Sequence, residues 1–262
     1  MSAEEVYNRA FLRYMTLTTP LFSFHVVLDK ALPLVEPEFR RIGLELSREL
    51  VAKKLIINPN RYFLEGMDKV VAAQYVDSTL KGARSVARAS AIVFSHAILD
   101  AIAFDACQVT LIVAPDEWAT DLMSRKVSLE TVRTSDYGQI RDAKLSEYFE
   151  QLERESLLKK CDLLHARCRP EPSWDLIENY KYDRETLEEF DELRHEIIHG
   201  DKLSGELDDV EDTLMYVSKT CLYLLLLVSK RFGVKIDPYF GIREQLKSGE
   251  AQTDLGPQGA GA

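Results

Sequence analysis

Glycine and cysteine are both thin in this sequence, with 12 glycines and 4 cysteines in 262 residues. The cysteines, Cys107, Cys161, Cys168 and Cys221, form no CxxC pair and sit in apolar or helical stretches. That spacing excludes a zinc ribbon and a disulfide framework, and leaves reduced structural thiols. Glycine and proline rarely interrupt the middle of the chain, where apolar residues recur every three or four positions rather than every two. A mainly helical protein follows. No repeat period, glycine-rich phosphate loop or catalytic serine or cysteine pattern is visible, and no cofactor is implied.

Long uninterrupted apolar runs are missing as well. A membrane-spanning helix needs about 20 apolar residues. The run Cys221–Val228 is far shorter, and His96, Asp100, Asp105 and Gln108 break the one from Ala89 to Ala114. The start, Met1-Ser2-Ala3-Glu4-Glu5, has neither the basic opening nor the apolar core of a signal peptide. The expectation is a soluble, cytoplasmic protein with no membrane partner.

Positive charge is in deficit: 33 Lys+Arg against 43 Asp+Glu leave a net charge of −10. This excludes a generally basic nucleic-acid coat but allows a local basic groove. The acid is concentrated: Asp175 to Asp212 holds 15 acidic and 4 basic residues, a net of −11, so the remainder is close to neutral. Lys81, Arg84 and Arg88 suggest one basic edge, and Lys159-Lys160 with Arg167 and Arg169 another. Such clusters are usually solvated faces, with RNA contact as the alternative.

The elements follow from periodicity and breakers. Short helices are predicted over Glu5–Met15 and Pro37–Leu55, the second with Pro37 in its first turn. Between them Leu21–Leu34 alternates weakly and stays open between helix and strand. Asn58-Pro59-Asn60 reads as a turn, Arg61–Lys81 as a helix, and Ala83–Val113 as the most apolar long helix, with Gly82 a bend before it. Val127–Asp136 is a connector with a helix-start signal at Ser128-x-Glu130, and Ala143–Arg167 an amphipathic helix. A shorter acidic helix starts at Asp183 and stops at Gly200. Leu207–Phe232 is the last, and Ser248–Ala262 a disordered tail.

The order of these helices predicts an all-α chain. An up-and-down four-helix bundle spans residues 81–235, a mainly helical N-terminal extension of unassigned role spans 1–80, and the tail spans 248–262. Leu222–Val228 is apolar nearly all round, so it is either a dimer interface or the bundle's central helix.

The segment Leu193-Arg194-His195-Glu196-Ile197-Ile198-His199-Gly200 can be parsed in two ways. As His195-Glu196-x-x-His199 it places two imidazoles on one helix face at zinc-ligand spacing, with Glu196 as the base on a metal-bound water. Arg194 and Asp201 flank this motif with charge, the helix stops at Gly200, and a downstream acid such as Glu206 or Glu211 could supply a third ligand, although acids are so many there that finding one is no evidence. A zinc protease is the less favoured parsing.

As Arg194-x4-His199, near the end of the third bundle helix, the segment resembles the HEPN family (the higher-eukaryote and prokaryote nucleotide-binding helical domains). Phe94-Ser95-His96-Ala97-Ile98-Leu99-Asp100-Ala101 resembles that family's acidic position in its first long helix, with Asp100 in the acidic place. The resemblance covers about Ala83–Phe232 and leaves the first 80 residues unmatched.

It implies a metal-independent endoribonuclease, of toxin or defence type, in which a ribose 2′-hydroxyl attacks the adjacent phosphate. His199 would be the acid–base group, Arg194 would stabilise charge on phosphate, and Asp100 would orient either one. His195 and His96 would support them. RNA rather than DNA would be the substrate, with a homodimer and a cognate antitoxin-type protein as further partners. A non-catalytic module binding RNA, a nucleotide or a protein is the alternative. Arg194 and His199, five apart, lie about 140° apart on an ideal helix and share no face there, and the residues alone also admit a buried Asp100–Arg194 ion pair with His199 capping the helix and no chemistry.

Overall fold

The computed structural model describes residues 2–52, 67–118, 133, 136–200 and 209–244. Every regular element among the described residues is helical, so the chain is all-α. The turn at 58–60, the Ser128-x-Glu130 signal, Asp201, Glu206 and the 248–262 tail lie outside the described residues.

Helix α1 (Ala3–Arg13) opens on a capping box. The Glu5 amide donates to Ser2 Oγ at 3.2 Å, and the Ser2 amide to Glu5 Oε2 at 2.8 Å. A π-helical turn, Tyr14–Thr18, leads into α2 (Thr19–Ala52). Pro20 has no N–H to give the preceding turn, and the wider π turn lies where that hydrogen bond is missing. Helix α2 carries the ambiguous Leu21–Leu34 segment as helix and corrects the start expected at Pro37, which lies inside it. Local ion pairs suit this helix: Arg40 donates to Glu36, and Arg41 to Glu38 and Glu45, all at i±3 or i±4.

Helix α3 (Met67–Val113) runs unbroken through Gly82, so the boundary expected near residue 80 falls within one helix. The single helix expected over Ala143–Arg167 is two, α4 (Tyr137–Arg154) and α5 (Leu157–Cys168). Glu155 leaves the helical conformation, and Ser156 caps the new helix by accepting from the Lys159 amide at 3.2 Å. Helix α6 (Arg184–His199) starts as expected at Asp183, whose carboxylate accepts from the Glu185 and Thr186 amides. It ends at Gly200, whose φ of 83° is the left-handed value that favours glycine. Helix α7 is Val210–Phe232.

The chain forms two compact units: Met1–Thr19 with Ala97–Glu188 and Val217–Ala262, and Pro20–His96 with Glu189–Tyr216. The core of the first holds Leu99, Ile102, Cys107, Cys161 and Leu164, with Leu224, Leu225, Leu227 and Val228 of α7. The last four make Leu222–Val228 part of a core helix, with Leu222 and Leu226 half-buried. Tyr7 is fully buried there and donates to the Leu225 carbonyl at 3.0 Å. The second unit buries His25, Ile92, His96, Phe190, Ile197 and Leu214, and leaves Phe24 and Phe94 largely exposed.

By length and composition, Leu80–Val113 and Val210–Phe232 could each cross a membrane, and about half of each apolar window is buried within the protein. Counting uninterrupted apolar residues misses this property. The acidic breaks in the first are paired: Asp100 accepts from Lys160, and Asp105 from Arg13.

Candidate functional site

Helix α6 carries the motif in the second unit. Residues 191, 195 and 199 are spaced i, i+4, i+8 and share one helix face. At the foot of that face Asp191 Oδ1 accepts a hydrogen bond from His96 Nε2 of α3 at 2.6 Å. His96 is buried, its ring 5.6 Å from that of Phe190, so α3 and α6 are tied by a hydrogen bond and a ring contact together. One turn up is His195, and one more is His199, with ring centroids 4.2 Å apart. Both histidines are exposed and Arg194 beside them is half-buried, so the end of the helix is open to a ligand.

The structure thus places His96, Arg194, His195 and His199 in one unit and adds Asp191, which sequence reasoning missed. A signal was present: Asp191 lies four residues before His195. It was hidden by the acidic residues around it, among which no single carboxylate stands out.

Asp100 lies in the first unit, and its expected pairing with Arg194 is corrected. Both carboxylate oxygens accept from Lys160 Nζ, at 2.8 and 2.9 Å. The Lys160 side chain is 1% exposed. An ammonium so buried needs a carboxylate beside it, and Asp100 fills that need. Lys160 also leaves the basic edge to which its sequence position assigned it.

The two arginines of that edge are engaged. Arg169 donates to Glu117 at 2.7 Å, and the Arg167 guanidinium lies 5.0 Å from the Trp118 ring. On the other edge Arg84 meets Glu36 at 3.6 Å.

Comparison with family models, curated proteins and solved structures finds no match to this chain. The geometry therefore has to carry the functional reading. Among the described residues no group of three or more His, Cys, Asp or Glu side chains is placed to hold a metal ion. What the α6 end offers is a pair of touching imidazoles and a guanidinium: proton transfer from one, charge stabilisation from the other.

Proposed function

We propose that this protein is a HEPN-like endoribonuclease whose site is the C-terminal end of α6. The observation that carries the reading is the exposed His195–His199 pair, 4.2 Å between centroids, with Arg194 adjacent. In this reading His199 takes the proton from a ribose 2′-hydroxyl, whose oxygen attacks the adjacent phosphorus. Arg194 stabilises the charge on the non-bridging oxygens, and the proton passes to the departing 5′-oxygen. The products are a 2′,3′-cyclic phosphate and a 5′-hydroxyl, and no water or metal enters the balance. His195 packs on His199 and limits its ring orientations; Asp191 and His96 anchor the helix below. Asp100, held by Lys160, has no part in the step.

The bundle topology of the HEPN type, the cytoplasmic setting, a homodimer and an antitoxin-type partner belong to the same proposal. The homodimer no longer rests on Leu222–Val228. Its support is now that Arg194 and His199 lie about 140° apart on an ideal helix, so two helix ends sharing a cleft would complete each other. Ile198, 48% exposed beside His199, gives such a contact an apolar element. The second reading, a non-catalytic module, is favoured by one observation: the net −11 of Asp175–Asp212 opposes RNA at the motif.

Incubation of single-stranded RNA with purified protein in chelator distinguishes them. Cleavage to cyclic phosphate is expected, with DNA left intact. His199→Ala and Arg194→Ala should each lower the rate about 10²- to 10⁴-fold without changing the circular dichroism spectrum. Intact RNA at every protein concentration would select the binding module. One zinc per chain, lost in His199→Ala, would instead revive the His195/His199 metal parsing.

A further inference from the structure

The 169–183 loop builds a second candidate site, in the first unit, that uses none of the α6 motif residues. It borders a cleft of about 980 Å³, toward the upper end of the range for small-molecule pockets. Two non-glycine residues in the left-handed region, Arg169 (φ 46°) and Asn179 (φ 57°), turn the chain at either end of the 170–178 stretch. The second turn delivers Tyr180 and Tyr182 to α5 and α7.

There Tyr182 lies 4.0 Å from the His165 ring and stacks on Tyr223, at 5.7 Å and 11° between planes. Tyr180 lies 5.6 Å from Tyr223. The Tyr180 hydroxyl is fixed by a hydrogen bond shared with Thr220 at 2.8 Å, and Tyr182 is held by its ring contacts with His165 and Tyr223. The aromatic wall is therefore preformed, with Trp174 also lining the cleft.

The charge on this cleft has one sign in excess. Glu171, Asp175 and Lys181 line it and are exposed; Glu178 and Asp183 add negative charge on the same loop, whose other cation, Arg169, is paired with Glu117. Burial lowers the His165 imidazole from its ordinary value, so it adds no positive charge at neutral pH. Aromatic faces carry negative quadrupole potential and carboxylates carry full negative charge, so both select organic cations and repel phosphates. The cleft exceeds one side chain in volume, and its acids are spread along the loop. Several positive charges on one extended ligand match that layout better than a single compact cation.

We propose that this cleft docks a basic peptide segment of a partner protein, with arginine or lysine side chains against Trp174 and the tyrosines and charge-paired to Glu171 and Asp175. Calorimetric titration of the full chain with hexa-arginine is the test. Saturable one-to-one binding is expected. Glu171→Gln/Asp175→Asn should weaken it about ten-fold, and Trp174→Ala about five-fold, from the lost charge pairs and the lost cation–π contact. A charge-matched control on the exposed face of α4, Asp142→Asn/Glu150→Gln, should leave it unchanged.

The proposal is overturned if the control weakens binding as much as the cleft variant, which would mean diffuse attraction to an acidic protein. It is also overturned if no saturable heat appears, or if spermidine binds as tightly as the peptide. Tighter binding of an RNA hexamer, lost in Trp174→Ala, would overturn it as well. The α6 variants are absent from this experiment, so its failure leaves the ribonuclease reading standing, and the converse holds.

Discussion

Lys160 keeps a full positive charge in the core of the first unit, and Asp100 is what makes that tolerable. Asp100→Asn would leave the ammonium buried beside a neutral amide, a loss expected at about 3 kcal/mol or more. Replacing both groups, Asp100→Asn with Lys160→Met, removes the orphaned charge and should recover most of that stability. Urea denaturation of the two variants checks this. An equal loss in the single and double variants would show that the ion pair is not the reason for the burial.

Asp105 is the converse case. Burial pushes its carboxyl up to about 6, against the pull of Arg13 and Arg9. The short Arg13 contact alone would lower it; with the side chain only 12% exposed, desolvation prevails. A carboxyl whose folded value lies above its unfolded 3.8 binds protons more tightly in the folded state. Folding stability therefore falls as pH rises from about 4 to 6 and is level above that. A ten-fold difference in proton affinity between the folded and unfolded chain is worth about 1.4 kcal/mol, so the fall is on the order of 3 kcal/mol. Asp105→Asn should flatten this part of the profile, measured as melting temperature against pH.

At the scale of elements, α3 tests how far local propensity governs this chain. Gly82 sits inside a continuous helix, is exposed, and would meet nothing within 4 Å if given a Cβ. Gly82→Ala should therefore stabilise by up to about 1 kcal/mol. The same change at Gly233, whose φ is 71°, should destabilise by a similar amount, because alanine strains the left-handed region. Thermal melts that move both variants the same way would contradict the helix assignments. Helix α6 shows the complementary point. Its start, stop and motif face follow from Asp183, Gly200 and the i, i+4 spacing, whereas the break between α4 and α5 hinges on the Ser156 cap, which amphipathic periodicity conceals.

At the scale of the molecule, the four thiols report on the core. All four cysteines are buried, and burial pushes Cys161 and Cys168 up to about 12 and holds Cys107 and Cys221 well above the ordinary thiol value. A buried thiol is both inaccessible and protonated, and the thiolate is the reactive form. Native protein should leave a chromogenic disulfide reagent unreacted, while denatured protein should titrate all four. Rapid reaction of one thiol in native protein would place a cysteine outside the core described here.

By itself the sequence determined the helical class, the start and end of α6, the reduced character of the cysteines and the placing of His195 and His199 on one helix face. Each of these depends on spacing within a few residues. The tertiary structure decided what depends on distant pairing. It placed Asp100 against Lys160, sixty positions away; it joined Asp191 to His96; it sank Leu224, Leu225, Leu227 and Val228 into the core. It also gathered His165 into the ring cluster of Tyr180, Tyr182 and Tyr223. Charge and apolar character mark a residue as needing a partner. Which partner meets that need is settled by packing of the whole chain, and local periodicity carries no record of it.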